Sequence, residues 1–442
     1  MSGPASPSPD AAAEAEGLLQ SLIRFNTVNP PGQERAAQEH LAAHLAAAGF
    51  DCELLGAEPE RPNLLARLRG PSDGPTLCYL GHVDTVLANP AEWTHDPWSG
   101  DLSDGYIWGR GALDMKSQVA AEIAAVASLA RSGWRPEHGE LLIAAVVDEE
   151  TGGALGAQWI TETHPEKVRC DLLLNEGGGA VFEYGGNRCY GVCCAEKGVF
   201  RFTITTSGVA GHASMPGMGE NALLKMAPVL ERLAARQPGY RPTDEPLAFL
   251  SGIGEDPADP AGSIARLRDA DPRLAIMFEP MLGVTFTPTR IRASEKINVI
   301  PSVAELRVDC RVPPGLGEAE VLADVAAVLG ESDGSWRLDF TEQVVGNRSP
   351  VASELMDTIS AWVSERDPGA RTVPVVLPGF TDSRHFRMAF PDCVAYGFFP
   401  QRHQSLLEGA PLVHGADERI DTRDLAFATG LYGDLARRIL GG

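Results

Sequence analysis

Apolar residues recur along this chain with two different periods, and the change of period marks out its parts. Residues 11–24 and 34–48 repeat every three to four positions, which predicts two helices. The turn chemistry of Thr27-Val28-Asn29-Pro30-Pro31-Gly32 separates them. Residues 63–68 and 76–80 predict strands. Two continuous apolar runs follow, Leu141-Leu142-Ile143-Ala144-Ala145-Val146-Val147 and Leu172-Leu173-Leu174. Strands without polar alternation belong to a sheet covered on both faces. Between them, residues 117–131 are Ala-rich and predict a helix, bounded by Gly133 and Pro136. Residues 11–198 thus read as strands alternating with helices, an α/β unit with a parallel or mixed sheet.

Near Gly198 the pattern changes. Residues 199–207 alternate polar and apolar, as a half-exposed strand does. A helix at 221–235, strands at 283–292 and 304–312, a helix at 317–329 and a strand at 336–341 give a β-α-β-β-α-β order. That is the order of a ferredoxin-like α+β unit. Residues 237–275, rich in Pro, Asp and Gly, predict largely irregular chain. After Pro350 a helix (353–365), two strands (373–376 and 394–397) and a closing helix (425–440) resume the first style. The expected organisation is a disordered tail at 1–10, a first domain made of 11–198 and 345–442, and a second domain, 199–344, inserted into it.

The chain has 442 residues, more than one ordinary core holds. Its 44% hydrophobic and 22% charged content are those of a globular protein. A net charge of −23 argues against a nucleic-acid or anionic-membrane partner. No stretch approaches the roughly 18 uncharged apolar residues of a membrane span. The Pro- and Ser-rich N-terminus lacks the basic and apolar regions of a signal peptide. Eight cysteines with no C-x-x-C predict free thiols in a reducing, cytoplasmic setting.

The chemistry gathers at predicted strand ends, where open α/β sheets bind ligands. His82 ends one strand and Asp84 follows it. Asp148-Glu149-Glu150 ends the second, and Asn175-Glu176 the third, ahead of three glycines. Asp114 sits in Gly109-Arg110-Gly111-Ala112-Leu113-Asp114-Met115-Lys116, and His414 lies near the C-terminus. A histidine ending a strand, or an aspartate in a Gly-rich turn, is commonplace alone. Adjacent acids at a buried strand end are costly unless a cation or proton compensates them. Neighbours in a turn also point differently, so one can bind a metal while the other faces the reacting water. Histidines and carboxylates are ligand types that zinc takes, and a carboxylate can bridge two ions ~3.5–4 Å apart. Asp114 is read as that bridge. His40 and His44 are four apart, but Leu41 stands where a zincin helix has Glu, so they are read as solvent-facing. No G-x-x-x-x-G-K-[ST] is present, which argues against a phosphate-loop enzyme.

The set GHVDTV, GRGALDMK, DEETGG, NEGG, GHAS and a late His-Gly resembles the family of acetylornithine deacetylase, succinyl-diaminopimelate desuccinylase, aminoacylase and glutamate carboxypeptidase. The resemblance runs from about Leu18 to the C-terminus. It implies a mixed-sheet catalytic domain that binds two Zn²⁺, with Co²⁺ or Mn²⁺ as substitutes, and an inserted lid that forms a homodimer. It implies that His82 and Glu176 hold one ion, Glu150 and His414 the other, and Asp114 both. Glu149 matches the general base and Asp84 the acid behind His82. Gly211-His212-Ala213-Ser214 matches a lid segment whose His212 polarises the scissile carbonyl, in the partner's site. Asn298 and Arg311 match residues that hold the substrate carboxylate. Gly379 and Arg384 match the family's G-x-T-D-x-R loop over the site, Arg384 as a second anion contact. The family often has a cis peptide after the bridging Asp. The implied reaction is amide hydrolysis of an N-acyl amino acid or short peptide with a free carboxylate, carboxypeptidase- or aminoacylase-like. Dipeptidase or N-succinyl/N-acetyl amino acid deacylase is the alternative, and a non-catalytic binding protein on the same scaffold a remote one. The 237–275 segment is longer than in minimal members, and substrate preference is expected to reside there.

Overall fold

A ten-stranded mixed sheet forms the spine of the first domain in this computed structural model, which describes residues 9–237 and 239–442. The expected tail lies outside the described residues except at 9 and 10, which already begin the helix Pro9–Arg24. The sheet runs Asp51–Leu55, Asn63–Arg69, Glu140–Val146, Thr76–His82, Leu172–Asn175, Val394–Gly397, Asn187–Glu196, Asn347–Arg348. Arg371–Leu377 and Val181–Tyr184 also pair with Asn187–Glu196.

Four central strands, Glu140–Val146, Thr76–His82, Leu172–Asn175 and Val394–Gly397, are mutually parallel. Their C-terminal ends therefore share one edge, with His82 opposite Val146 and Asn175 opposite Gly397. The apolar runs follow from burial on both faces. On Thr76–His82, Leu77 and Tyr79 enter the core under Pro9–Arg24, Lys116–Arg131 and Thr422–Leu440. Cys78 and Leu80 enter the opposite core, with Ile160 and Phe386 from the helices Ala157–Thr163 and Ser383–Ala389. Small side chains at Ala120, Ala121, Ala124 and Ala127 let the buried helix Lys116–Arg131 pack closely.

The inserted unit is ferredoxin-like. Its strands lie in the order Arg337–Phe340, Phe202–Ser207, Val303–Val312, Thr285–Arg292, all antiparallel. Alternate residues of Val303–Val312, Ala304, Leu306, Val308 and Cys310, face the helices Ala222–Ala234 and Glu318–Leu329.

Residues 237–275 depart from the irregular chain expected of them. Asp244–Ile253, Pro260–Ala270 and Pro272–Phe278 are helices. Their apolar faces pack on the large sheet, not the small one: Phe249, Leu250, Leu267 and Phe278 share a core with Phe182, Cys193, Val373 and Val375. A separate three-stranded sheet of Asp101–Ser103, Tyr106–Trp108 and Arg419–Asp421 flanks the 109–116 loop. All eight cysteines are free. Among the described residues no helix is long and apolar enough to cross a membrane.

Candidate metal centre

Asp114 stands between two imidazoles. Its Oδ1 is 3.2 Å from His82 Nε2 and its Oδ2 is 2.9 Å from His414 Nε2. The peptide that follows it, Asp114–Met115, is cis. Glu176 Oε1 lies 3.7 Å from His82 Nε2, and Glu150 Oε2 lies 3.2 Å from His414 Nε2. Residues that the sequence scatters over 333 positions thus converge on one aspartate, one group on each of its oxygens. Ligand atoms of His82, Asp114 and Glu150 lie within 4.8 Å of one another, as do those of His82, Glu149 and Glu176.

Local backbone aims these groups. Asp148 adopts φ +70, a left-handed conformation that non-glycine residues enter rarely. The chain turns sharply there, so Glu149 and Glu150 leave the strand in different directions. The Asp84 carboxylate fixes them, accepting from the Glu149 and Glu150 N–H groups at 3.2 Å each. His82 Nδ1 stands 3.0 Å from the Asp84 carbonyl oxygen and 3.5 Å from its carboxylate. An imidazole so oriented directs Nε2 at the ion site. His414 also has a positive φ, +61, the kind of outlier that clusters at functional sites.

Protons and imidazolium groups compensate the carboxylates when no ion does. Burial alone would lower the His82 imidazole, but Asp114, Asp84 and Glu176 raise it well above the ordinary value. Hydrogen bonds to Asp114 and Glu150 push His414 up to about 10. Burial opposes ionisation of Asp114, yet His414 and His82 hold its carboxyl far below the usual range. Burial and the Asp114 charge push Glu176 up to about 7. Burial, then the Glu176 charge, raises Glu149 well above the usual carboxyl value. So much negative charge in one buried cluster suits a pair of divalent cations. The donor set of imidazoles and carboxylates, with one carboxylate between two groups of ligands, fits two such ions.

A cavity of about 380 Å³ opens on this cluster, lined in part by Asp114, Glu149, Glu150, Glu176 and His414. The glycines after Glu176 let the chain pass close to its neighbour: a Cβ at Gly179 would stand 2.1 Å from the Phe399 carbonyl oxygen. His212, Asn298 and Arg311, the sequence-predicted lid residues, are not among the residues that line the cavity. His212 is exposed, on a two-residue strand paired with Val299–Ile300, and the Asn298 carbonyl accepts from Ala213 N. Arg311 donates to the Asp309 carboxylate at 2.7 Å and to the Pro378 carbonyl at 3.3 Å. Arg384 stacks on Phe380, 4.6 Å from the ring centre. Gly379 joins Pro378 and Phe380, both of which line the cavity.

Three supporting residues escaped the sequence reading. Glu418 is fully buried and accepts from the N–H groups of Leu113, at 2.6 Å, and Asp114, at 3.0 Å. Asn29 donates to both Asp84, at 2.9 Å, and Asp148, at 3.0 Å. Asp382 is buried beside the cluster, and its Oδ2 makes no hydrogen bond among the described residues. Burial first raises its carboxyl well above the usual value. Only Asp382 carried a signal, its place in Gly379-Phe380-Thr381-Asp382-Ser383-Arg384.

Paired imidazoles and carboxylates at the strand ends of a mixed α/β sheet, with a carboxylate placed to bridge, define a metal-dependent hydrolase. The chain belongs to peptidase family M20/M25/M40, whose family model matches residues 78–438. Among curated relatives, a succinyl-diaminopimelate desuccinylase of Rhodospirillum centenum is 28% identical over 445 residues, covering 98% of both chains. Among solved structures, the M20 metallo-carboxypeptidase Sso-CP2 of Sulfolobus solfataricus superposes with TM-score 0.70 at 16% identity, covering 96% of this chain and 98% of that one. The Bacillus subtilis YXEP protein, a dinuclear metal-binding peptidase, has TM-score 0.60 at 16% identity, covering 97% and 98%. Metal-dependent amide hydrolysis is the activity of this chain.

Proposed function

We propose that this enzyme hydrolyses the amide bond of an N-acyl amino acid or short peptide that carries a free carboxylate. The position of Asp114 between His82 and His414 carries the reading. Two divalent ions, zinc first and cobalt or manganese as substitutes, would polarise a water and the scissile carbonyl. His82 and Glu176 would hold one, Glu150 and His414 the other, and Asp114 both. Glu149 lines the cavity, its Oε2 3.9 Å from His82 Nε2. There it can take a proton from the attacking water and return it to the leaving amine. Burial and the Glu176 charge raise its carboxyl, the direction that favours holding a proton between the two steps.

Arg311, at the cavity rim through Pro378, would receive the substrate carboxylate, and the family resemblance adds Asn298, Gly379 and Arg384 as further contacts to it. A guanidinium suits bidentate carboxylate recognition. His212 would polarise the carbonyl from the lid of a second copy. The exposed apolar side chains of the inserted unit support such a pairing: Leu224 is 70% exposed, Met218 68% and Ile297 fully so. The test is a screen of N-acyl amino acids and dipeptides against enzyme loaded with zinc, cobalt or manganese. Turnover that a chelator abolishes and metal restores supports the reading; no turnover with any metal contradicts it.

A further inference from the structure

The cavity is lined by two chemically different groups of residues. One is the acids of the metal cluster. The other is an apolar wall of Phe182, Met277, Phe278, Met281, Val375 and Phe399. Three of these six lie just past residue 275: Met277 and Phe278 end the helix Pro272–Phe278, and Met281 is in the turn after it. The wall is braced from behind. The Phe278 ring lies 4.9 Å from Phe182 and 4.5 Å from Phe249, centre to centre. Neither Lys nor Arg is among the described residues that line the cavity. Lys197, behind the wall, is taken up by the carbonyls of Pro280 and Gly283, and Arg311, at the Pro378 rim, is the group proposed for the substrate carboxylate.

A charged group placed against this wall would lose its water and meet no opposite charge. An apolar group would gain with every methylene buried. The flexible methionines could adapt to aliphatic or aromatic shapes. The size falls within the 300–1,000 Å³ typical of small-molecule sites. We infer that the substrate carries an uncharged apolar group next to the scissile amide, an acyl chain or an amino-acid side chain, and that this wall receives it. The inference rests on the amide-hydrolase reading above and narrows it away from succinyl and other dicarboxylic acyl groups.

Zinc-loaded enzyme is assayed on two series. One lengthens the acyl group from acetyl to octanoyl on a single amino acid, with succinyl as the charged member. The other enlarges the first residue of a dipeptide from Gly to Leu and Phe. Each methylene is expected to raise kcat/KM about two- to fourfold. Octanoyl should then exceed acetyl by at least about fiftyfold, and succinyl should fall about tenfold below butanoyl. A rise in the acyl series identifies the group as an acyl chain, and a rise in the dipeptides identifies it as a side chain. Turnover that is flat in both series, or best with succinyl, overturns the inference and leaves the hydrolase reading intact. If nothing turns over, the hydrolase reading fails. Calorimetry of the same acyl series then decides the pocket: tighter binding and a more negative heat-capacity change with chain length support it, and no dependence overturns it. In whichever series rises, Met277→Glu should cut the ratio of the largest to the smallest apolar substrate at least tenfold while Met277→Leu keeps it. An unchanged ratio in Met277→Glu contradicts the assignment.

Discussion

Arg110 and Glu418, 308 positions apart, form an ion pair closed to solvent, and it ties together two parts of the metal centre. Glu418 holds the backbone N–H groups of Leu113 and Asp114. Arg110 donates to the carbonyls of His414, at 3.2 Å, and Gly415, at 3.0 Å. The pair therefore fixes where Asp114 and His414 meet.

Glu418→Gln should leave Arg110 buried without a full countercharge. Breaking such a pair costs roughly 3–5 kcal/mol, and disturbing groups behind metal ligands weakens metal binding about 10- to 100-fold. Urea denaturation of the metal-free protein and competition against a chelator measure the two effects. Wild-type values in both would show that the pair does not position the site.

Lys197 sets a pH dependence away from the metal. Burial pushes its ammonium down to about 7 from an ordinary 10.5. Between those values the unfolded chain binds a proton that the folded chain lacks, so stability rises with pH across that window. One proton accounts for at most about 1.4 kcal/mol per pH unit. Lys197→Met should remove that slope between pH 7 and 10 relative to wild type, by urea denaturation at each pH. Parallel profiles would contradict it.

The strand ends were legible because chemistry and periodicity coincide there. The apolar run of Glu140–Val146 leads straight to Glu149 and Glu150, and that of Thr76–His82 ends on His82. The helices of 244–278 were not legible, since the same residues signal both loops and helix starts. Pro260 and Pro272 occupy the first turn of their helices, and Asp259 and Asp271 cap them, accepting from Gly262 N and Arg273 N. Glu418 was illegible for another reason: nothing local distinguishes a glutamate whose partners are more than 300 positions away.

Arg311 separates substrate binding from structure. If it receives the substrate carboxylate, Arg311→Ala should lower kcat/KM at least tenfold on a free acid and little on the corresponding amide. A hydrogen bond to a charged group is worth ~1.5–3 kcal/mol. Equal losses on both substrates would assign Arg311 to the pairing with Asp309 instead.

The proposed dimer makes a prediction that no monomer can meet. His212→Ala and Glu149→Gln chains should each be nearly inactive alone. Mixed under subunit exchange, half the dimers combine the two, and one of the two sites in each has both intact residues. About a quarter of wild-type activity should return. No recovery despite proven exchange would place the action of His212 within its own chain.

If Asp114 bridges two ions, Glu149 and Glu150 divide the labour beside it. Metal content by atomic emission, on wild type and on Glu149→Gln and Glu150→Gln, separates their roles. Wild type and Glu149→Gln should each hold two ions per chain, Glu149→Gln without turnover. Glu150→Gln should lose the ion it shares with His414. Equal metal loss in the two variants, or full turnover by Glu149→Gln, would contradict these roles.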